Sequence, residues 1–182
     1  MSENIQNQIG SILKLSEAIS HQVGRGGKID PPEAAYKKLF EGDPSKKKND
    51  LGEAEEIIEE LNKLPIDKPG LSSEIADFMY YAAKIPNLPY AKIESFLGHC
   101  GFSIRGAVRA AEVKYEARVH MNEIGGDREA KHKYENEKLA TWLTAAEETG
   151  LVDFSKLDKE FAKDELAALK KEIYDINFKS SI

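Results

Sequence analysis

The run Ile75-Ala-Asp-Phe-Met-Tyr-Tyr-Ala-Ala83 constrains this chain more than any other stretch. All but one of its residues are apolar or aromatic, and a helix without a polar face has to be buried on most sides. The exception, Asp77, stands in the middle. A buried carboxylate must lose its charge, pair with a cation or bind a metal. No Lys or Arg lies within one helical turn of Asp77 on either side. Compensation therefore has to come from another part of the chain or from an ion.

Other acids surround this helix in sequence. Glu74 precedes Asp77 by one turn, and an upstream helix carries Glu55, Glu56 and Glu59. At about 100° per residue these three share one face, about a third of the helix circumference wide. Ala54, Ile57, Ile58 and Leu61 make an apolar stripe on the same helix, so a solvated acidic face accounts equally well for that helix taken alone. The link from Leu64-Pro65 to Pro69-Gly70 breaks the helical pattern and predicts an antiparallel hairpin with both acid clusters near one level. Converging carboxylates would repel by roughly 3 kcal/mol per pair at about 5 Å and an effective dielectric of about 20. Several such pairs are large against a stability of about 5 to 15 kcal/mol. A bound cation removes the repulsion, and an all-oxygen set suits Mg²⁺ or Mn²⁺.

The pattern Glu55-Glu56-x-x-Glu59, followed after the link by Glu74-x-x-Asp77 and an apolar, Tyr-rich turn, resembles the signature of the all-α nucleoside triphosphate pyrophosphohydrolases. That superfamily includes MazG-like proteins, dimeric dUTPases and phosphoribosyl-ATP pyrophosphohydrolases. The resemblance implies Mg²⁺-dependent cleavage of a nucleotide substrate between its α and β phosphates, giving a monophosphate and pyrophosphate. It also implies Glu56, Glu59, Glu74 and Asp77 as metal ligands; Glu55, on the same face and not needed as a ligand, is then the candidate to orient or deprotonate the attacking water. The motif occurs once, and single-copy members resemble oligomeric types, so a helical bundle completed in a homodimer or homotetramer is implied.

The rest of the chain reads as helical throughout, which makes the expected fold all-α, a bundle around the acidic hairpin. Residues 1–150 are expected to form the catalytic helical domain and residues 151–182 a C-terminal helical extension. Between about Ser103 and Glu123, Arg105, Arg109, Glu112 and Glu116 lie on a solvated face with alternating charge. Lys114 and Arg118, one turn apart, sit toward the side of Ile104, Val108 and Tyr115. They are candidates to hold the outer phosphates, since a metal grips only some of the phosphate oxygens; water-facing basic residues are the plainer alternative.

The Gly-rich stretch Val23-Gly-Arg-Gly-Gly-Lys28 lacks P-loop spacing and follows no strand, so it reads as a connection with Arg25 and Lys28 as candidate phosphate contacts. His99 and Cys100 are neighbours that cannot face each other on a helix, which argues against a catalytic pair. Asp50 is a candidate cap for the first acid helix. Phe40, Phe78 and Tyr81 are candidate contacts for a nucleotide base.

With a formal charge of −6 over 182 residues, the chain lacks the basic surface that DNA or RNA binding needs, and no nucleic-acid partner is expected. No apolar run has the length of a membrane span, and the start MSENIQNQIG is unlike a signal peptide, so a cytoplasmic protein without a membrane partner is expected. Its one cysteine precludes an internal disulfide. The alternative function is a non-catalytic helical interaction module whose acidic faces meet a basic partner.

Overall fold

A computed structural model describes residues 2–42 and 51–179, with side chains from residue 7 onward. Its described residues form eight α-helices: α1 (Ser2–Gln22), α2 (Pro32–Phe40), α3 (Glu53–Leu61), α4 (Lys68–Ala82), α5 (Tyr90–His99), α6 (Ile104–Glu123), α7 (Arg128–Glu148) and α8 (Lys159–Asn177). Among them there is no strand, only an isolated bridge between Phe102 and Val152. The protein is an all-α bundle, and no described helix is long and apolar enough to cross a membrane.

Side chains set several helix starts. Asp67, Ser103, Asp127 and Asp158 each accept a bond from the backbone N–H three residues on, at 3.0, 2.9, 2.8 and 3.1 Å. Such caps satisfy donors that a helix leaves unpaired in its first turn. Helix α3 begins differently. Asp50 lies outside the described residues, and the N-cap is Gly52, which contributes no side-chain bond. A Cβ at Gly52 would sit 2.5 Å from the carbonyl oxygen of Leu39, so only glycine lets α3 start this close to the end of α2. That approach fixes Glu53 as the first helical residue.

Helix α4 is the central element and packs against α6, α3, α7 and α2. Leu71, Ile75, Ala76, Phe78, Met79 and Ala82 are buried, and the Phe78 ring meets that of Phe96 on α5 at 5.7 Å. Phe78 thus belongs to the core. A stripe of partly exposed residues remains, Ser73, Glu74, Asp77 and Tyr81, spaced by one and two turns. This stripe meets Glu53 and Glu56 of α3 and Lys114 and Tyr115 of α6.

The C-terminal helix shares the main core. Ala162, Leu166, Leu169 and Ile173 of α8 belong to the same hydrophobic cluster as α2, α3, α4 and α5. The Tyr36 hydroxyl of α2 donates to the carbonyl of Lys170 at 3.2 Å, and the rings of Tyr36 and Phe178 are 5.4 Å apart.

Candidate metal centre

Two helices each supply two carboxylates, one turn apart. Glu53 and Glu56 come from α3 and Glu74 and Asp77 from α4, and one oxygen from each lies within 4.8 Å of the others. The spacing is i, i+3 on both helices, which brings side chains to one face. The antiparallel hairpin sets the two faces opposite each other.

Their environment is hostile to charge. Burial pushes Glu53 up to about 7, aided by the nearby Asp77 carboxylate. Glu56 is raised to about 7 by burial, with a further push from Glu53. Glu74 is pushed furthest, to about 9, by burial, by a hydrogen bond with Glu56 and by repulsion from Asp77 and Glu56. Raised values of this kind are the signature of carboxyls that share protons because they cannot all ionise together. Glu53 Oε2 and Glu74 Oε2 are also buried without a hydrogen-bond partner among the described residues, and an unmade bond of this kind costs about 1–3 kcal/mol, more for a charged group.

Asp77 finds its cation on α6. Lys114 Nζ donates to Asp77 Oδ1 at 2.7 Å and to Ser73 Oγ at 2.8 Å. The Tyr115 hydroxyl donates to the same Oδ1 at 2.5 Å. Tyr115 is kept protonated far above the usual phenol range by burial and by the Asp77 charge, so it is a fixed donor. Neither bond uses Asp77 Oδ2. Lys114 is deeply buried, with 5% of its side chain exposed against 18% for Asp77.

Arg118 has a different partner. Its Nε and one terminal nitrogen each donate to Glu135 of α7 at 2.9 Å, a two-pronged pair. Its guanidinium also lies over the Tyr115 ring, 5.1 Å from the centroid. The two basic residues proposed for outer phosphates are therefore both engaged by carboxylates.

Of the acids singled out in the sequence, Glu56, Glu74 and Asp77 meet, and the fourth member of the cluster is Glu53 rather than Glu59. Glu55 and Glu59 are exposed and line an apolar groove of about 420 Å³ with Phe40, Ile58 and Leu166. The wheel explains the split. At about 100° per residue, Glu53 and Glu56 lie on one flank of the Ala54, Ile57 and Leu61 stripe, and Glu55 and Glu59 on the other. Only the first flank turns toward α4. The repeated Glu-x-x-Glu and Glu-x-x-Asp spacing was the signal for Glu53.

The remaining candidates lie elsewhere. His99 Nδ1 is 2.5 Å from Glu165 and its ring stacks on Phe161 at 4.7 Å. Cys100 is buried, and burial pushes its thiol well up, away from a reactive thiolate.

The cluster can hold a divalent cation. It offers four carboxylates, all-oxygen donors, and two of its buried oxygens lack partners. Comparison of the chain with protein-family models, with curated proteins and with solved structures finds no match.

Proposed function

We propose that this protein is a divalent-cation-dependent hydrolase that cleaves a nucleoside triphosphate or related nucleotide between the α and β phosphates, releasing a monophosphate and pyrophosphate. The observation that carries the proposal is the convergence of Glu53, Glu56, Glu74 and Asp77, with buried, unpartnered oxygens on Glu53 and Glu74. The resemblance of the hairpin to the all-α pyrophosphohydrolases supplies the reaction class.

These four carboxylates would hold Mg²⁺ or Mn²⁺, the cations that all-oxygen ligand sets favour. A bound ion of this kind offsets the negative charge that builds on phosphate oxygens during cleavage. Lys114 and Tyr115 act through Asp77: both donate to Oδ1, which holds the carboxylate in place and leaves Oδ2 free to serve as a ligand. Both are positioning residues. Glu55 lies on the opposite flank of α3 and has no part in this set. Assembly into a homodimer or homotetramer belongs to the same proposal, and light scattering on the purified chain tests it.

One observation favours a second reading, a helical module with a purely structural acid network. Lys114 already compensates Asp77, and shared protons compensate the rest. Incubation with a panel of ribo- and deoxyribonucleoside triphosphates and Mg²⁺ separates the two. The enzyme predicts monophosphate and pyrophosphate, lost in Glu74→Gln with helix content unchanged. A structural network predicts intact nucleotides throughout.

A further inference from the structure

A second polar feature lies behind the acid cluster. A cavity of about 250 Å³ opens between the end of α1, the Gly-rich loop, α2 and the last turn of α4. Arg25, Lys28, Lys38, Lys84 and Arg118 line it, with Asp30 as the one carboxylate in its wall. Three of these cations crowd the same Asp30: Lys84 at 3.2 Å, Arg25 at 3.3 Å and Lys38 at 3.5 Å. One carboxylate does not balance three cations, and Glu135, the partner of Arg118, adds nothing for them. Positive charge remains in excess.

Two further observations point to a ligand. Lys84 is almost fully buried, with 2% of its side chain exposed, and beyond the faces of Tyr80 and Tyr81 at 4.0 and 4.6 Å it has only Asp30, a carboxylate it shares with Arg25 and Lys38. Ser20 Oγ, in the same wall, is buried and has no hydrogen-bond partner among the described residues. An anion with several oxygens would answer both, accepting from the hydroxyl and offsetting the cations.

The backbone does not oppose it. The C-terminal carbonyls of a helix repel anions, but here those of Ile19, Ser20 and His21 accept from Val23, Arg25 and Gly24 N–H at 3.0, 2.7 and 3.1 Å. Gly24 and Gly26 take positive φ, 79° and 66°, which turns the loop so that Arg25 and Lys28 both reach the cavity wall. The volume falls below the roughly 300–1,000 Å³ of pockets for drug-sized ligands, which suits a phosphate or pyrophosphate group.

We propose that this cavity is an anion site for a phosphate or pyrophosphate group, held by Arg25, Lys28, Lys38 and Lys84 with Ser20 Oγ as a further donor. It stands apart from the acid cluster. Tyr115 divides them, lining the cavity with its ring while its hydroxyl donates to Asp77. The group belongs either to a separate phosphorylated ligand or to the far end of a substrate held at the cluster, and these share one chemistry.

The test is thermal melting of the full chain in EDTA with sodium pyrophosphate, against sodium chloride at matched ionic strength. Saturating pyrophosphate is expected to raise the melting temperature by on the order of 5 °C. The exposed-loop double variant Arg25→Gln/Lys28→Gln should lose that rise, and Ser20→Ala should weaken binding by about tenfold, the worth of one hydrogen bond to a charged group. Glu53→Gln/Glu74→Gln should keep the rise, because no divalent ion takes part. No rise over chloride in the wild type, an equal rise in the loop variant, or loss of the rise in Glu53→Gln/Glu74→Gln overturns the site. Repeating the melt with α,β-methylene ATP and Mg²⁺ separates the sources. Stabilisation lost in both double variants places a substrate's terminal phosphates in the cavity, and stabilisation lost in Glu53→Gln/Glu74→Gln alone leaves the cavity to a separate phosphorylated ligand.

Discussion

Lys114 Nζ lies 2.7 Å from Asp77 Oδ1, so a cation on α6 meets the one acid inside the apolar wall of α4. Removing one partner of a buried ion pair leaves the other uncompensated, at about 3–5 kcal/mol. Asp77 keeps some contact with solvent, so Lys114→Met is expected to cost about 3 kcal/mol, the lower end of that range. A divalent ion at the cluster compensates Asp77 in place of the lysine. Urea unfolding should therefore show a larger Mg²⁺-dependent gain in Lys114→Met than in the wild type. An equal gain in both proteins would detach Asp77 from any ion site.

The two flanks of α3 are separable by single amide substitutions. Glu53→Gln is expected to remove Mg²⁺-dependent stabilisation and nucleotide hydrolysis together, while Glu59→Gln, exposed over the apolar groove, leaves both within twofold of wild type. Melting curves with and without Mg²⁺ check the first property and product analysis the second. The reverse ranking would assign the site to the other flank.

Stability of the metal-free protein is expected to fall as pH rises from about 5 to 8. Glu53 and Glu56 are raised to about 7 and Glu74 to about 9, each by burial first. Across this window the folded state holds protons that the unfolded chain has released, so raising pH favours unfolding. Lys84, lowered to about 8 by burial, acts in the opposite direction, but only from the upper end of the window. Saturating Mg²⁺ replaces those protons and should flatten the slope. Melting temperatures at several pH values, in EDTA and in Mg²⁺, check both signs.

Much of the fold was legible because helical periodicity is local. The apolar run around Asp77 marked α4 as central, and the hairpin followed from the Pro-rich link. Lys114 could be seen as turned inward, but its partner could not. It lies 37 residues from Asp77, and pairing across that distance depends on how α6 crosses α4. The choice between Glu53 and Glu59 rested on which flank of α3 turns toward α4. That depends on which side of the buried Ala54, Ile57 and Leu61 stripe α4 packs, which no periodicity encodes. Arg118 was similar: its position on α6 was visible, but its two-pronged pair with Glu135 needed the placement of α7. The C-terminal helix, expected as an extension, joins the main core through Leu166, Leu169 and Ile173.

Calorimetric titration of Mn²⁺ into the metal-free protein at neutral pH tests the central claim most directly. Saturable binding is expected, accompanied by proton release from the carboxyls that the fold keeps protonated, and lost in Glu53→Gln and Glu74→Gln variants that retain native helix content. Absence of saturable binding in the wild type, or unchanged binding in both variants, would contradict a metal centre at Glu53, Glu56, Glu74 and Asp77.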